Sequence, residues 1–148
     1  MGNLPLIRSC IRNYARRGVA AVEFAVIAPL FFLLLAGIIE FGQAFRIQHS
    51  LSNASRRGAR AAILDAATNN QVMQLVRAHV AKTLGVNDAD VTVDVAVNGS
   101  SDASLSGAKQ GDEISVTASL PFSKAGVGFY AKMFSNINLS STCMLEHE

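Results

Sequence analysis

Apolar residues follow four distinct patterns along this 148-residue chain. From Val19 to Ile39 they form an almost unbroken run, interrupted only by Glu23, Pro29 and Gly37. At about 1.5 Å per residue such a run makes a helix of roughly 30 Å, close to the thickness of a bilayer's hydrocarbon core. Beyond Ile39 the spacing becomes three or four residues: Phe41, Ala44, Phe45, Gln48, Leu51, Ala54, Ser55, Gly58 and Ala62. The same helix therefore continues as an extramembrane stalk. Its small side chains at Ala54, Gly58, Ala61 and Ala62 allow another backbone to come close, either the chain's own C-terminal sheet or a neighbouring subunit.

After a polar stretch from Asp65 to Asn70, suited to ending one helix and capping the next, Val72, Met73, Val76 and Val80 recur at helical spacing as far as Leu84. Gly85 is the expected stop. The period then changes to two. Val91, Val93, Val95 and Val97 share one side of a strand, with Thr92, Asp94 and Ala96 on the other, and Ile114, Val116, Ala118 and Leu120 repeat the pattern up to Pro121. A polar loop from Asn98 to Gly111 makes the two a hairpin. Ile137, Leu139, Ser141, Cys143 and Leu145 mark a third strand, and the segment Ser123 to Ser135 reads as a loop or a short helical turn. One face of each strand needs a cover. The economical fold is thus α+β: a long N-terminal transmembrane and stalk helix, then a small domain with a short helix and a three-stranded antiparallel sheet lying on the helix end. The expected division is 1–18, 19–65 and 66–148.

Charge separates the first segment from the rest. Residues 1–18 hold Arg8, Arg12, Arg16 and Arg17 and no acid, the composition that stays on the cytoplasmic side of an inserting helix. The whole chain has 13 Lys and Arg against 11 Asp and Glu, a net charge of +2. Without the four leader arginines it is acidic, so its basicity belongs to the leader. A secretory signal has a shorter apolar stretch, about 7–15 residues, ending in a small-residue cleavage site. Here the run is longer and leads into Glu40, Phe41 and further helix.

Glu23 is the exception within the run. A carboxylate at a bilayer centre costs roughly 2.5–3.5 kcal/mol, so it needs either a partner or the freedom to reach the head groups. Pro29 removes one backbone donor and crowds the preceding turn, which predicts a bend or local melting near Ala25 to Pro29. Such a site is either a softened region used in assembly or a passive kink.

The junction Arg16, Arg17, Gly18, Val19, followed by Ala20, Ala21, Val22 and Glu23, resembles a class III prepilin site. The resemblance implies a cut after Gly18 on the cytoplasmic face, which makes Val19 the new N-terminus and Glu23 the fifth mature residue. Ammonium and carboxylate would then lie four residues apart on one helix face, able to pair within a subunit or between neighbours. Over Gly18 to Ala62 the chain resembles the TadE-like proteins, minor pilins of the tight-adherence (Flp) branch of type IV pili. The resemblance rests on Ala21-Val22-Glu23-Phe24, Pro29 within the span, Glu40-Phe41-Gly42, and the segment Ala54 to Arg60. It implies processing at Gly18 and Val19, assembly through Glu23 and Phe24, and a helix kink at Pro29. The implied partners are a prepilin peptidase, other minor pilins, the major Flp pilin and an inner-membrane assembly platform. The implied location is the bacterial inner membrane, with the C-terminal domain periplasmic, and then an extracellular adhesive pilus. Major Flp pilins carry Glu-Tyr where this chain has Glu23-Phe24 and are much shorter, while TadG-like relatives carry an additional sizeable domain.

Chemistry-bearing constellations are lacking. His49, His79 and His147 are scattered, there is no CxxC or HExxH, and no Ser, His and Asp set or phosphate loop stands out. Gly126 and Gly128 read as loop glycines. Neither catalysis, a cofactor nor a metal is expected. Arg46, Arg56, Arg57 and Arg60 lack interleaved aromatics, so they read as a solvated face and not as a nucleic-acid site. Cys143 is either a buried apolar residue or a free thiol, and Cys10 belongs to the leader. The rival reading is an uncleaved single-pass inner-membrane adaptor whose periplasmic domain binds a ligand or protein.

Overall fold

The computed structural model describes residues 6–64, 67–125 and 136–147, with side chains from Gly18 onward. The elements are α1 (Leu6–Ala62), α2 (Asn69–Leu84), β1 (Thr92–Val97), β2 (Glu113–Pro121), α3 (Phe122–Ala125) and β3 (Asn138–Glu146). The chain divides into two compact units, Met1–Ile39 and Glu40–Glu148. The first is the N-terminal part of α1. The second contains the rest.

In the second unit the strands lie in the order β1-β2-β3, both pairs antiparallel. Register aligns the valine rows: Val95 sits opposite Val116, and Val116 opposite Cys143. That face joins one core with Ile47, Leu51, Ala54, Ala59 and Ala62 of α1 and Val72, Val76 and Val80 of α2. Burying a branched aliphatic side chain of this kind contributes about 1.5–3 kcal/mol. The opposite face of the sheet is hydroxylated, and Thr117 and Thr142, directly opposed, share a 2.8 Å hydrogen bond. One-sided burial is what the alternating sequence requires.

Local chemistry fixes the ends of α2. Thr68 Oγ1 accepts from the Gln71 amide while Gln71 Oε1 accepts from the Thr68 amide, a capping box. Gly85 closes the helix at φ 70°, in the left-handed region where a side chain is disfavoured. Turning from β1 into its loop, Asn98 takes φ 50° and its side chain ties the two strands together. Its Nδ2 donates to Asp112 Oδ1 and its Oδ1 accepts from the Glu113 amide, both at 2.9 Å.

The small-residue stripe is resolved in favour of the chain's own domain. Ala54, Gly58 and Ala62 are buried, and Gly58 lies against both α2 and β2. Two details differ from the sequence pattern. Ala96 shares strand parity with exposed Thr92 and Asp94 yet is buried. Ile47 and Ala59, outside the stripe, are fully buried, while Phe41 and Phe45 inside it are 70% and 64% exposed. The core-facing side of α1 is thus rotated away from the two aromatics. Of the Ser123 to Ser135 segment, the beginning is the single turn α3, whereas Gly126 and Gly128 lie outside the described residues.

Candidate functional site

Gly18, Val19, Glu23, Phe24 and Pro29 all lie on α1 in the first unit, and all are exposed. Val19 and Glu23 are one helical turn apart and share a face. Phe24, next in sequence, is 70% exposed and points about 100° further round the helix. Helical residues continue through Pro29, where the sequence predicted a bend or local melting. A single missing donor leaves one carbonyl unpaired, which an otherwise regular helix tolerates.

Around these residues the helix is apolar on every side. Leu30 to Leu35 are six consecutive large apolar residues, covering more than one full turn, and every one is exposed. None of the most apolar 18-residue window is buried within the chain. Such a surface is stable only in lipid or against other helices. By length and composition the helix can cross a membrane.

Residues 18–60 match the family described as TadE-like protein. Over this stretch the chain is similar to that family. The match starts at Gly18 and takes in Glu23, Phe24, Pro29, Glu40 to Gly42 and most of the stalk. No curated protein and no solved structure matches the chain. The match and the exposed apolar helix that can cross a membrane fall on the same stretch of the chain.

Two features of the second unit lie beside this site in sequence. The first is an apolar hollow of about 300 Å³ lined by Glu40, Phe41, Ala44, Phe122, Ile137 and Leu139. Glu40 Oε2 is buried there without a hydrogen-bond partner among the described residues. Sequence reasoning placed Phe41 on the helix but could not bring Phe122 and Ile137 to it, since Phe122 lies 81 positions after Phe41. The i, i+4 spacing of Phe41 and Phe45 was the available signal.

The second is a basic cleft formed by Asn53, Arg56, Arg57, Arg60, His79 and Thr83. Arg57 Nη1 lies 3.5 Å from His79 Nδ1. Partial burial, then the nearby Arg57 and Lys82 charges, hold the His79 pKa below its ordinary 6.5. The imidazole is therefore neutral at pH 7 and can accept from the guanidinium. Arg46 is exposed on the same helix, in keeping with a solvated face. Cys143 is free and half-buried on the core side of β3, and among the described residues no three His, Cys, Asp or Glu side chains gather as metal ligands.

Proposed function

We propose that this chain is a minor pilin of a Tad (Flp) pilus. It is made as a prepilin with leader 1–18, inserted with its N-terminus in the cytoplasm, and cleaved between Gly18 and Val19 by a prepilin peptidase. Its apolar helix then leaves the lipid to pack beside other minor pilins and the major Flp pilin, on the inner-membrane assembly platform. The new ammonium of Val19 pairs with Glu23, of the same subunit or a neighbour, which lowers the cost of a carboxylate in lipid and sets the register of packing. Phe24 packs at the same level, and Pro29 weakens the helix locally for extraction. The segment 66–148 is the periplasmic domain that the assembled helix carries.

The observation that carries this reading is the coincidence of the TadE-like stretch with an apolar helix that nothing among the described residues covers. A helix of that kind inside a folded chain is an unfilled interface.

One observation favours the rival, an uncleaved inner-membrane adaptor. Helix α1 runs through Gly18 and Val19, and a peptidase needs an extended chain at the bond it cuts. Glycine reduces the cost of unwinding there by about 1 kcal/mol relative to alanine, so the obstacle is small. Intact mass of the protein extracted from membranes separates the two. A chain beginning at Val19 supports the pilin, and one retaining residues 1–18 supports the adaptor.

A further inference from the structure

Charge is divided between the two layers of the second unit. Residues 40–84, which hold its long helices, carry six basic and two acidic residues, whereas residues 85–148, which hold the sheet, carry three lysines and eight acids. The helices and the sheet meet through their buried sides in one core, so the sides turned away from it look outward in opposite directions. On α1, Arg56, Arg57 and Arg60 lie on the outward side, away from Leu51, Ala54 and Gly58, and with His79 of α2 they line the basic cleft. The outward face of the sheet presents Asp94 of β1, Glu113 of β2 and Glu146 of β3, all exposed, and none of the three strands contains Lys or Arg.

Glu113 and Glu146 stand directly opposite one another in the β2-β3 register. Like charges so placed repel. Among the described residues the ion pair present joins Lys124 to Asp90, and none engages these two carboxylates or the three arginines. The two charged sets also match in spacing. Cβ atoms of directly opposed strand residues are about 4.5–5.5 Å apart, and those of helix residues three or four apart, as Arg57 and Arg56 are from Arg60, about 5–6 Å. Neighbouring guanidinium groups can therefore each meet one carboxylate through a fork of two hydrogen bonds. An exposed apolar side chain accompanies each set: Leu75 beside Arg57, Arg60 and His79, and Met144 two positions before Glu146 on the same sheet face.

We infer that the acidic outward face of the sheet in one copy of this chain docks onto the basic cleft of a second copy, with Glu113 and Glu146 meeting Arg56, Arg57 and Arg60. Because the two faces belong to different layers, the contact is head to tail and passes from copy to copy as a row or a ring. Complementary charge selects which faces meet, and Leu75 and Met144 add apolar area at the margin. The contact concerns the folded segment alone and does not rest on cleavage after Gly18.

Single-cysteine full-length proteins test it, in a background of Cys10→Ser and Cys143→Ala. Asn53→Cys marks the basic cleft and Ser115→Cys the outward sheet face; the first position is exposed, the second half-exposed, and every charge stays in place. Differently tagged copies are mixed in detergent and treated with a short bismaleimide. Docking predicts that the cross-link between an Asn53→Cys copy and a Ser115→Cys copy forms in preference to a link between two identical copies. Adding Arg57→Glu and Arg60→Glu to the first copy should slow the mixed link at least about tenfold, and Glu113→Arg with Glu146→Arg in the second should restore it. Links between identical copies that form as fast as the mixed one would assign association to another surface and overturn the inference. So would the absence of any link, or a mixed link indifferent to charge reversal.

Discussion

Gly58 on α1 faces Val76 on α2 so closely that a Cβ at position 58 would stand 2.5 Å from Val76 Cγ2 and 3.0 Å from Val116 Cγ1. No carbon tolerates that approach, and Val76 is fully buried with a stiff β-branched side chain. The absence of a side chain at one position thus sets how near the two helices and the sheet lie.

Gly58→Ala tests this contact. Alanine gains about 1 kcal/mol in helix propensity, and overpacking a full core costs about 1–3 kcal/mol, so the net expectation is destabilisation of up to about 2 kcal/mol. Adding Val76→Ala should recover part of the loss, because the clash then has room to relax. Chemical denaturation of the detergent-solubilised protein measures both. A stabilised Gly58→Ala would show that the helices do not approach as described.

Gly85 and Gly107 give a matched pair for backbone conformation. Both have open space around the position of a Cβ, but only Gly85 has positive φ. Gly85→Ala should cost about 1–2 kcal/mol through the left-handed conformation alone, and Gly107→Ala should cost little or nothing. Comparing their denaturation midpoints isolates the conformational term, and equal midpoints would contradict the Schellman-type end of α2.

His79 gives the folded domain a pH dependence with a definite sign. Its pKa is depressed in the folded state, by burial first and by Arg57 and Lys82 next. Above about 6.5 the imidazole is neutral in both states and contributes no dependence. As pH falls through 6.5 the unfolded chain binds the proton more readily, so stability declines until the folded-state pKa is passed. His79→Gln should flatten the pH 5–7 limb of the stability profile. An unchanged limb would place its origin elsewhere.

Most of this fold is written in periodicity, because a sheet covered on one face and a helix packed along one side each impose a repeat. Val91 to Val97 and Ile114 to Leu120 declared their inward sides, and Gly85 marked the end of α2. What periodicity does not carry is rotation and long-range meeting. Phe41 and Phe45 fitted the helical stripe but turned outward, since Ile47, Leu51 and Ala54 took the core. Nothing local could show that Ile137 returns to Phe41, because that contact depends on the register of β3 against β2. At the candidate site, Glu23 was conspicuous as a charge in an apolar run, and it is exposed on α1 among other exposed apolar residues.

Glu23 carries the assembly prediction. It is exposed on a helix whose surroundings are apolar throughout, so truncating it removes a costly charge without opening a cavity. Glu23→Ala should therefore insert into the membrane at least as well as the parent and leave the stability of the second unit unchanged. If the carboxylate meets the ammonium of Val19 across a subunit boundary, the variant should be processed but absent from sheared filaments. Glu23→Gln, which keeps the size and loses the charge, should fail in the same way. Immunoblots of membrane and filament fractions read processing and incorporation separately. Normal incorporation of both variants would remove the docking role of Glu23, whereas loss of Glu23→Ala with retention of Glu23→Gln would assign the role to hydrogen bonding instead of charge.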